Sequence, residues 1–223
     1  AHVQRTIDGL PSYPSPRDFQ AVPDTLFRND GDGRFTDSSS PAGVGGRAAR
    51  AMGCIAADAD DDGDPDIFVA DDVDPNLHWI NDGGGRFVDR GLEDGTAYNE
   101  VGDENAGMGV DCGDYDRDGL LDFFMTTYQG RGRFVNVTDR AGPGLAVRHS
   151  GRGAAFDDLD NDGDVDAVIL NSRERPTLLR NESAPGRHWL ALEFEGTTAN
   201  RDAVGARVRV TAGGLTQVAE VHA

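Results

Sequence analysis

The sequence predicts an all-β fold made of four-stranded antiparallel blades, and three recurring features carry that expectation. The first is a nine-residue acidic stretch, Asp58-Ala-Asp-Asp-Asp-Gly-Asp-Pro-Asp66, which returns as Asp114-Tyr-Asp-Arg-Asp-Gly-Leu-Leu-Asp122 and Asp158-Leu-Asp-Asn-Asp-Gly-Asp-Val-Asp166. The second is the apolar run after each copy: Ile67-Phe68-Val69, Phe123-Phe124-Met125 and Ala167-Val168-Ile169-Leu170. These runs have the length and residue types of buried strands. The third is a Gly-rich turn between two strand-like runs, in Leu26 to Asp37 and again in Leu77 to Asp89, the pattern of a tight hairpin.

One complete unit can be written out as strands at Ala51–Ala57, Ile67–Ala70, Leu77–Ile80 and Arg86–Val88, with the acidic loop after the first and the Gly turn after the third. The acidic loops recur 56 and 44 residues apart, and four antiparallel strands per unit of about 40–50 residues is the period of a propeller blade. Residues 90–106 read as a polar connection that lengthens the first interval. The second unit is short: the chain runs from Phe123–Tyr128 almost directly into a worn hairpin at Gly130–Val137, without a third strand. The third unit runs from Gly153 through its loop to Thr177–Asn181, with a fourth strand expected at Trp189–Phe194. Beyond it, Arg207–Val210 alternates in the manner of a half-buried strand, and Ala212-Gly-Gly turns it back into Leu215–Val221. The expected organisation is an extended N-terminal arm over 1–24, blades over 25–183 (three, plus a half-blade at 25–37), and a C-terminal β segment over 184–223.

All three acidic copies place aspartate at positions 1, 3, 5 and 9 and glycine at position 6. Alternate carboxylates before a sharp turn at Gly63, Gly119 or Gly163 converge on one point, and calcium takes six to eight oxygens in a flexible shell. The expected ligands are Asp58, Asp60, Asp62, Asp64 and Asp66; Asp114, Asp116, Asp118, Leu120 and Asp122; and Asp158, Asp160, Asp162, Asp164 and Asp166. Position 7 (Asp64, Leu120, Asp164) varies because a backbone carbonyl usually serves there. The expected cofactor is Ca2+ at three sites. A merely solvated acidic turn is the plainer reading of one copy, and three copies in one register disfavour it. The helical calcium loop is excluded, because position 12 is Val69, Met125 or Ile169 rather than a bidentate glutamate.

The formal net charge of −19 is local, since the three windows hold 15 of the 40 acidic residues and one arginine. Nucleic acid is not an expected partner, because phosphate binding needs clustered basic residues. No apolar run approaches the roughly 18–20 residues of a membrane-spanning helix, so membrane insertion is not expected. The chain contains no lysine, a bias that suggests a GC-rich bacterial source. With no initiating Met or signal sequence at its start, it reads as a mature form or a fragment. Calcium loops of millimolar affinity are typical of extracellular modules, which points to a secreted, periplasmic or cell-surface protein.

Other residues are less telling. Cys54 and Cys112, offset by two positions when aligned on their loops, read as small buried core residues rather than a disulfide. The five histidines show no metalloprotease spacing, and there is no nucleophile elbow or phosphate loop. His78 and His188 each adjoin a strand tryptophan and read as packing residues. Asp157 reads as an acid beside the third loop rather than a base, and residues 91–106 as a solvated loop rather than a further cation site. Asn136-Val-Thr138 and Asn181-Glu-Ser183 match the glycosylation acceptor weakly. Arg207 and Arg209 are expected on the wet face of their strand.

The loops, together with the Asn-x-Gly-x-Gly-x-Phe turns at Asn29–Phe35 and Asn81–Phe87, resemble the FG-GAP/VCBS repeats of integrin-like propellers. The tail His188-Trp189-Leu190, with Asn200 to Val208, is similar to the ASPIC/UnbV segment. Together they resemble the bacterial relatives of cartilage acidic protein over about residues 24–223. Such propellers usually close with seven blades, so the resemblance implies a partial ring, either a fragment or an internally shortened copy. It also implies a calcium-binding extracellular module for adhesion to protein or polysaccharide. The alternative implied is a carbohydrate-active enzyme of lyase or dehydratase type on the same scaffold.

Overall fold

A computed structural model describes residues 5–7, 10–12, 14–99, 101–114, 120–127, 151–162, 165–182, 190, 192–197 and 200–221. The N-terminal stretch carries a small hairpin, β1 (Arg5–Ile7) with β2 (Leu10–Ser12), then a 3-10 turn at Pro16–Asp18. Next come β3 (Val22–Pro23), β4 (Phe27–Gly31), β5 (Arg34–Asp37), a one-turn helix at Ser39–Ala42 and β6 (Ala48–Ala49). β4 pairs with β5 as the expected half-blade, and β3 pairs with β6.

The first complete unit is the four-stranded antiparallel sheet that its sequence predicts. Its strands are β7 (Ala51–Ala57), β8 (Asp66–Asp71), β9 (Leu77–Asn81) and β10 (Phe87–Asp89), in the order β10-β9-β8-β7. The second unit contributes β11 (Gly107–Gly113) and β12 (Asp122–Thr127). The worn hairpin expected at Gly130–Val137 lies outside the described residues. The third unit is the three-stranded sheet β13 (Gly151–Asp157), β14 (Asp166–Asn171) and β15 (Thr177–Leu179). The fourth strand expected at Trp189–Phe194 is absent among its described residues, which carry no strand and leave Leu190 and Leu192 exposed. The C-terminal hairpin is β16 (Arg207–Ala212) with β17 (Leu215–Glu220), as expected.

The chain is therefore all-β, and no sheet closes on itself among the described residues. The inner strands pack side by side, β11 lying between β7 and β13. Glycine permits it. A Cβ on Gly53 would sit 2.5 Å from the Met108 carbonyl oxygen, and one on Gly109 would sit 2.8 Å from Gly153 Cα. Gly53 and Gly109 each fall five residues before the first aspartate of their loop, as does Gly153, whose own Cβ position is open. Each inner strand also shifts register near that glycine (Ala51/Gly53, Gly107/Val110, Gly151/Gly153), and such irregularities bend and twist a strand.

Alternation along β8 divides the packing in two. Ile67 and Val69 face a core of Val44, Ala49, Leu77 and Trp79, joined by Leu26 and Phe87. Phe68 points the other way and stacks on Phe123 of β12 with ring centroids 4.8 Å apart, while Phe124 meets Phe156 of β13 edge-on at 4.8 Å. Full burial of Phe68 stabilises by about 1.5–3 kcal/mol, and the half-buried Phe123, Phe124 and Phe156 add less, so the units are held together by aromatic contact as well as by chain connection. His78 is buried beside Phe68 and Phe123, its Nδ1 2.8 Å from Asp94 Oδ2, which is the packing role its sequence context suggests.

The cysteines differ from expectation in part. Both are free thiols, but Cys54 is exposed and Cys112 half-buried.

Candidate metal centre

The first and third acidic loops have one local construction. Asp58 opens the first; its Oδ1 accepts the Asp62 N–H at 3.0 Å and its Oδ2 accepts the Gly63 N–H at 3.1 Å. Asp158 Oδ1 accepts the Asp162 N–H at 3.0 Å in the third. Position 4 is left-handed in both, Asp61 at φ 63° and Asn161 at φ 59°, a conformation that Asp and Asn tolerate better than most residues. Gly63 at φ 99° supplies the turn that a side chain would strain.

The ninth residue closes each loop. Asp66 Oδ2 accepts the Ala59 N–H at 2.9 Å, and Asp166 Oδ2 accepts the Leu159 N–H at 3.2 Å. The other oxygen of each reaches the next hairpin, accepting the N–H of Asn81 or Asn181. Asn81 in turn donates its side-chain amide to the Pro65 carbonyl at 3.2 Å and accepts from the N–H groups of Gly83 (3.2 Å) and Gly85 (3.1 Å). The acidic loop and the Gly turn are therefore one hydrogen-bonded assembly.

Two groups of carboxylates converge: Asp58, Asp60 and Asp66, and Asp158, Asp160 and Asp166, each with one oxygen per residue within 4.8 Å of the others. That spacing suits oxygens placed 2.3–2.6 Å from a shared calcium ion. Position 5 stands outside both groups. Asp62 Oδ1 instead accepts the Asp64 N–H at 2.9 Å, and the Asp64 carboxylate packs over Gly83, where a Cβ would lie 2.7 Å from Asp64 Oδ2. Asp162 is likewise outside its group. Of the second loop, Asp114, Leu120 and Asp122 are described, with Leu120 exposed and Asp122 opening β12; Asp116 and Asp118, like Asp164 of the third, lie outside the described residues.

One carboxyl in each cluster is raised above its ordinary value. Burial raises the Asp66 carboxyl above its ordinary value; the N–H groups of Asn81 and Ala59 oppose that rise, and Asp60 adds to it. Asp160 is raised by desolvation and then by Asp162 and Asp166, with Arg180 opposing.

Arg207 corrects the sequence expectation. It is not on a wet face: its side chain is 18% exposed and forms an ion pair with Asp58 Oδ2, with Nη2 2.9 Å from Asp61 Oδ1. Arg209 is exposed, as expected, yet also pairs with Asp61 at 2.6 Å. Sequence reasoning missed both contacts, because 148–149 residues separate the partners and no local pattern links them. Of the acids in residues 91–106 that are described, Glu93, Asp103 and Glu104 are exposed, and none joins a convergent group. Asp157 Oδ1 accepts the Asp158 N–H at 2.9 Å.

Residues 19–69 and 58–125 match the family model of the FG-GAP-like repeat. Cartilage acidic protein 1 of Xenopus tropicalis is 28% identical over 189 residues, covering 75% of this chain and 28% of that protein. The Homo sapiens protein of the same name is 26% identical over 189 residues with the same coverage. The chain thus carries FG-GAP-like repeats and is a distant homologue of cartilage acidic protein, while spanning 28% of the length of these relatives.

Proposed function

We propose that this chain is part of a calcium-stabilised β-propeller that works outside the cytosol, whether secreted, periplasmic or at the cell surface, as a binding or adhesion module for protein or polysaccharide. The observation that carries this reading is the convergence of Asp58, Asp60 and Asp66, within the residues that match the FG-GAP-like repeat, and again of Asp158, Asp160 and Asp166 in a loop of the same sequence pattern. Asp60 and Asp160 would be the principal ion-facing carboxylates, because positions 1 and 9 also shape the loop through backbone N–H groups. Asp114, Asp116, Asp118, Asp122 and the Leu120 carbonyl would form the equivalent second site by repetition. A bound calcium would offset the mutual repulsion of three adjoining carboxylates, and so couple ion binding to folding. The inner strands, side by side at their glycines, would extend into a ring with further blades.

At ten times the dissociation constant each site adds about 1.4 kcal/mol, and three add about 4. That is a large share of a net stability of about 5–15 kcal/mol. Equilibrium dialysis against millimolar calcium, with melting followed in parallel, tests the reading. Retained ions and a melting temperature many degrees higher than in chelator are expected, and Asp60→Asn with Asp160→Asn should remove most of both effects. Failure to retain calcium at millimolar concentration would overturn it.

A further inference from the structure

The C-terminal hairpin is fastened to the first acidic loop largely by charge. Arg207 Nη1 donates to Asp58 Oδ2 and, at 3.2 Å, to the Asp58 carbonyl, while its Nη2 lies 2.9 Å from Asp61 Oδ1. Arg209 Nη2 reaches both oxygens of Asp61, at 2.6 and 2.9 Å. In the reverse direction the Asp58 N–H donates to Glu220 Oε2 at 3.0 Å. The hairpin also touches the second loop, where the Val218 N–H donates to Asp114 Oδ2 at 3.3 Å. Val218 is the buried apolar anchor of β17; the rest of the hairpin is half-buried or exposed.

Asp58 is thus claimed twice. It belongs to the group that converges on a cation position, and its Oδ2 already accepts the Gly63 N–H and the Arg207 guanidinium. A carboxylate oxygen has about two lone-pair directions, so Oδ2 is filled. A dication held by the same carboxylate would lie within a few ångströms of a guanidinium, where like charges repel strongly at partly buried positions. The third loop is built differently. The arginine there, Arg180, follows its own β15, is more than half exposed and approaches Asp160 at 3.3 Å.

We infer that Arg207 is a built-in competitor for the first loop's cation. Calcium held by Asp58, Asp60 and Asp66 displaces the guanidinium, and the C-terminal hairpin loosens from the loop. This rests on the calcium reading of the loop and adds its control: the first site has to break the ion pair of a largely buried arginine, 18% exposed, whereas the arginine beside Asp160 is 55% exposed. Filling it exposes the surface of β16 and β17 that Arg207 and Glu220 pin down.

The test uses the full chain carrying Asp160→Asn, so that binding at the third loop is removed. Calorimetric titration with calcium alone compares Arg207, Arg207→Gln and Arg207→Lys. One binding event should tighten by about tenfold in Arg207→Gln, as expected when one like charge leaves a partly buried cation site, and should stay near its original affinity in Arg207→Lys. Independently of any substitution at Arg207, hydrogen exchange at the Asp58 and Val218 amides should quicken when calcium is added. Calcium binding with equal affinity in all three proteins, or unchanged or slower exchange at those amides on calcium binding, overturns the competition while leaving the calcium reading intact. No calcium binding in any protein, including the unsubstituted chain, overturns both.

Discussion

Asp66 Oδ1 accepts the backbone N–H of Asn81 at 2.8 Å, and Asp166 Oδ1 accepts that of Asn181 at the same 2.8 Å. In the first and third units the last aspartate of the acidic loop therefore holds the backbone of an asparagine fifteen residues on. Two kinds of aspartate share each candidate centre. Asp66 is buried at 1% exposure and bound to protein through both oxygens, whereas Asp60 is exposed.

The two kinds separate by mutation. Asp66→Asn keeps one acceptor oxygen and turns an amide against the other N–H, which costs about 1–3 kcal/mol and should lower the melting temperature by several degrees even in chelator. Asp60→Asn should leave the chelated protein as stable as before, or slightly more so through lost repulsion from Asp66, while removing calcium-dependent stabilisation at that loop. Thermal melts of both variants with and without calcium check this.

Asp71 gives a pH prediction. It is fully buried, both carboxylate oxygens lack a hydrogen-bond partner, and burial, followed by Asp24 and Asp74, pushes its pKa up to about 8, with Arg47 opposing. A carboxyl raised in the folded state favours folding below its unfolded pKa of 3.8, and that advantage is lost progressively as pH rises through about 8. The register pairs Asp71 with Ala51 and Asn171 with Gly151, beside the same irregularity, so the third unit carries a neutral amide at the equivalent position. Asp71→Asn should therefore stabilise the protein at pH 8 by about 2 kcal/mol, have little effect at pH 4, and flatten the pH dependence between. Urea melts across that range read it directly.

The glycines of the inner strands give a packing prediction. Gly109→Ala would place a methyl 2.8 Å from Gly153 Cα, in backbone that cannot swing aside. Overpacking of this kind costs about 1–3 kcal/mol, and the loss should appear as a lower denaturation midpoint. Gly113→Ala, later in the same strand with no atom within 4 Å, should be close to neutral.

The two thiols should differ in reactivity. Cys54 is exposed, while burial, followed by Asp111 and Glu220, pushes the Cys112 thiol up to about 12. A thiolate-selective maleimide at pH 7 should label Cys54 promptly and Cys112 slowly, because the thiolate is the reacting form. Mass spectrometry of the labelled peptides over time measures the ratio.

What can be read from the chain alone is what neighbouring residues decide among themselves. The order Asp-x-Asp-x-Asp-Gly bends the backbone and gathers carboxylates locally, and the apolar runs after it pair within about twenty residues. For that reason strands β7 to β10, the hairpin β4–β5 and the tail hairpin β16–β17 fall where pattern and turn chemistry put them. Convergence of positions 1, 3 and 9 was legible in the same way, but the release of position 5 was not, since Asp62 turned instead to a backbone N–H two residues along. The remaining decisions belong to the assembled molecule. That Arg207 neutralises Asp58, that Asp71 is shut away from water and that Gly53 and Gly109 let three backbones touch are all results of contact between distant segments. Burial and long-range charge depend on what packs against a residue, and only the folded chain chooses that neighbour.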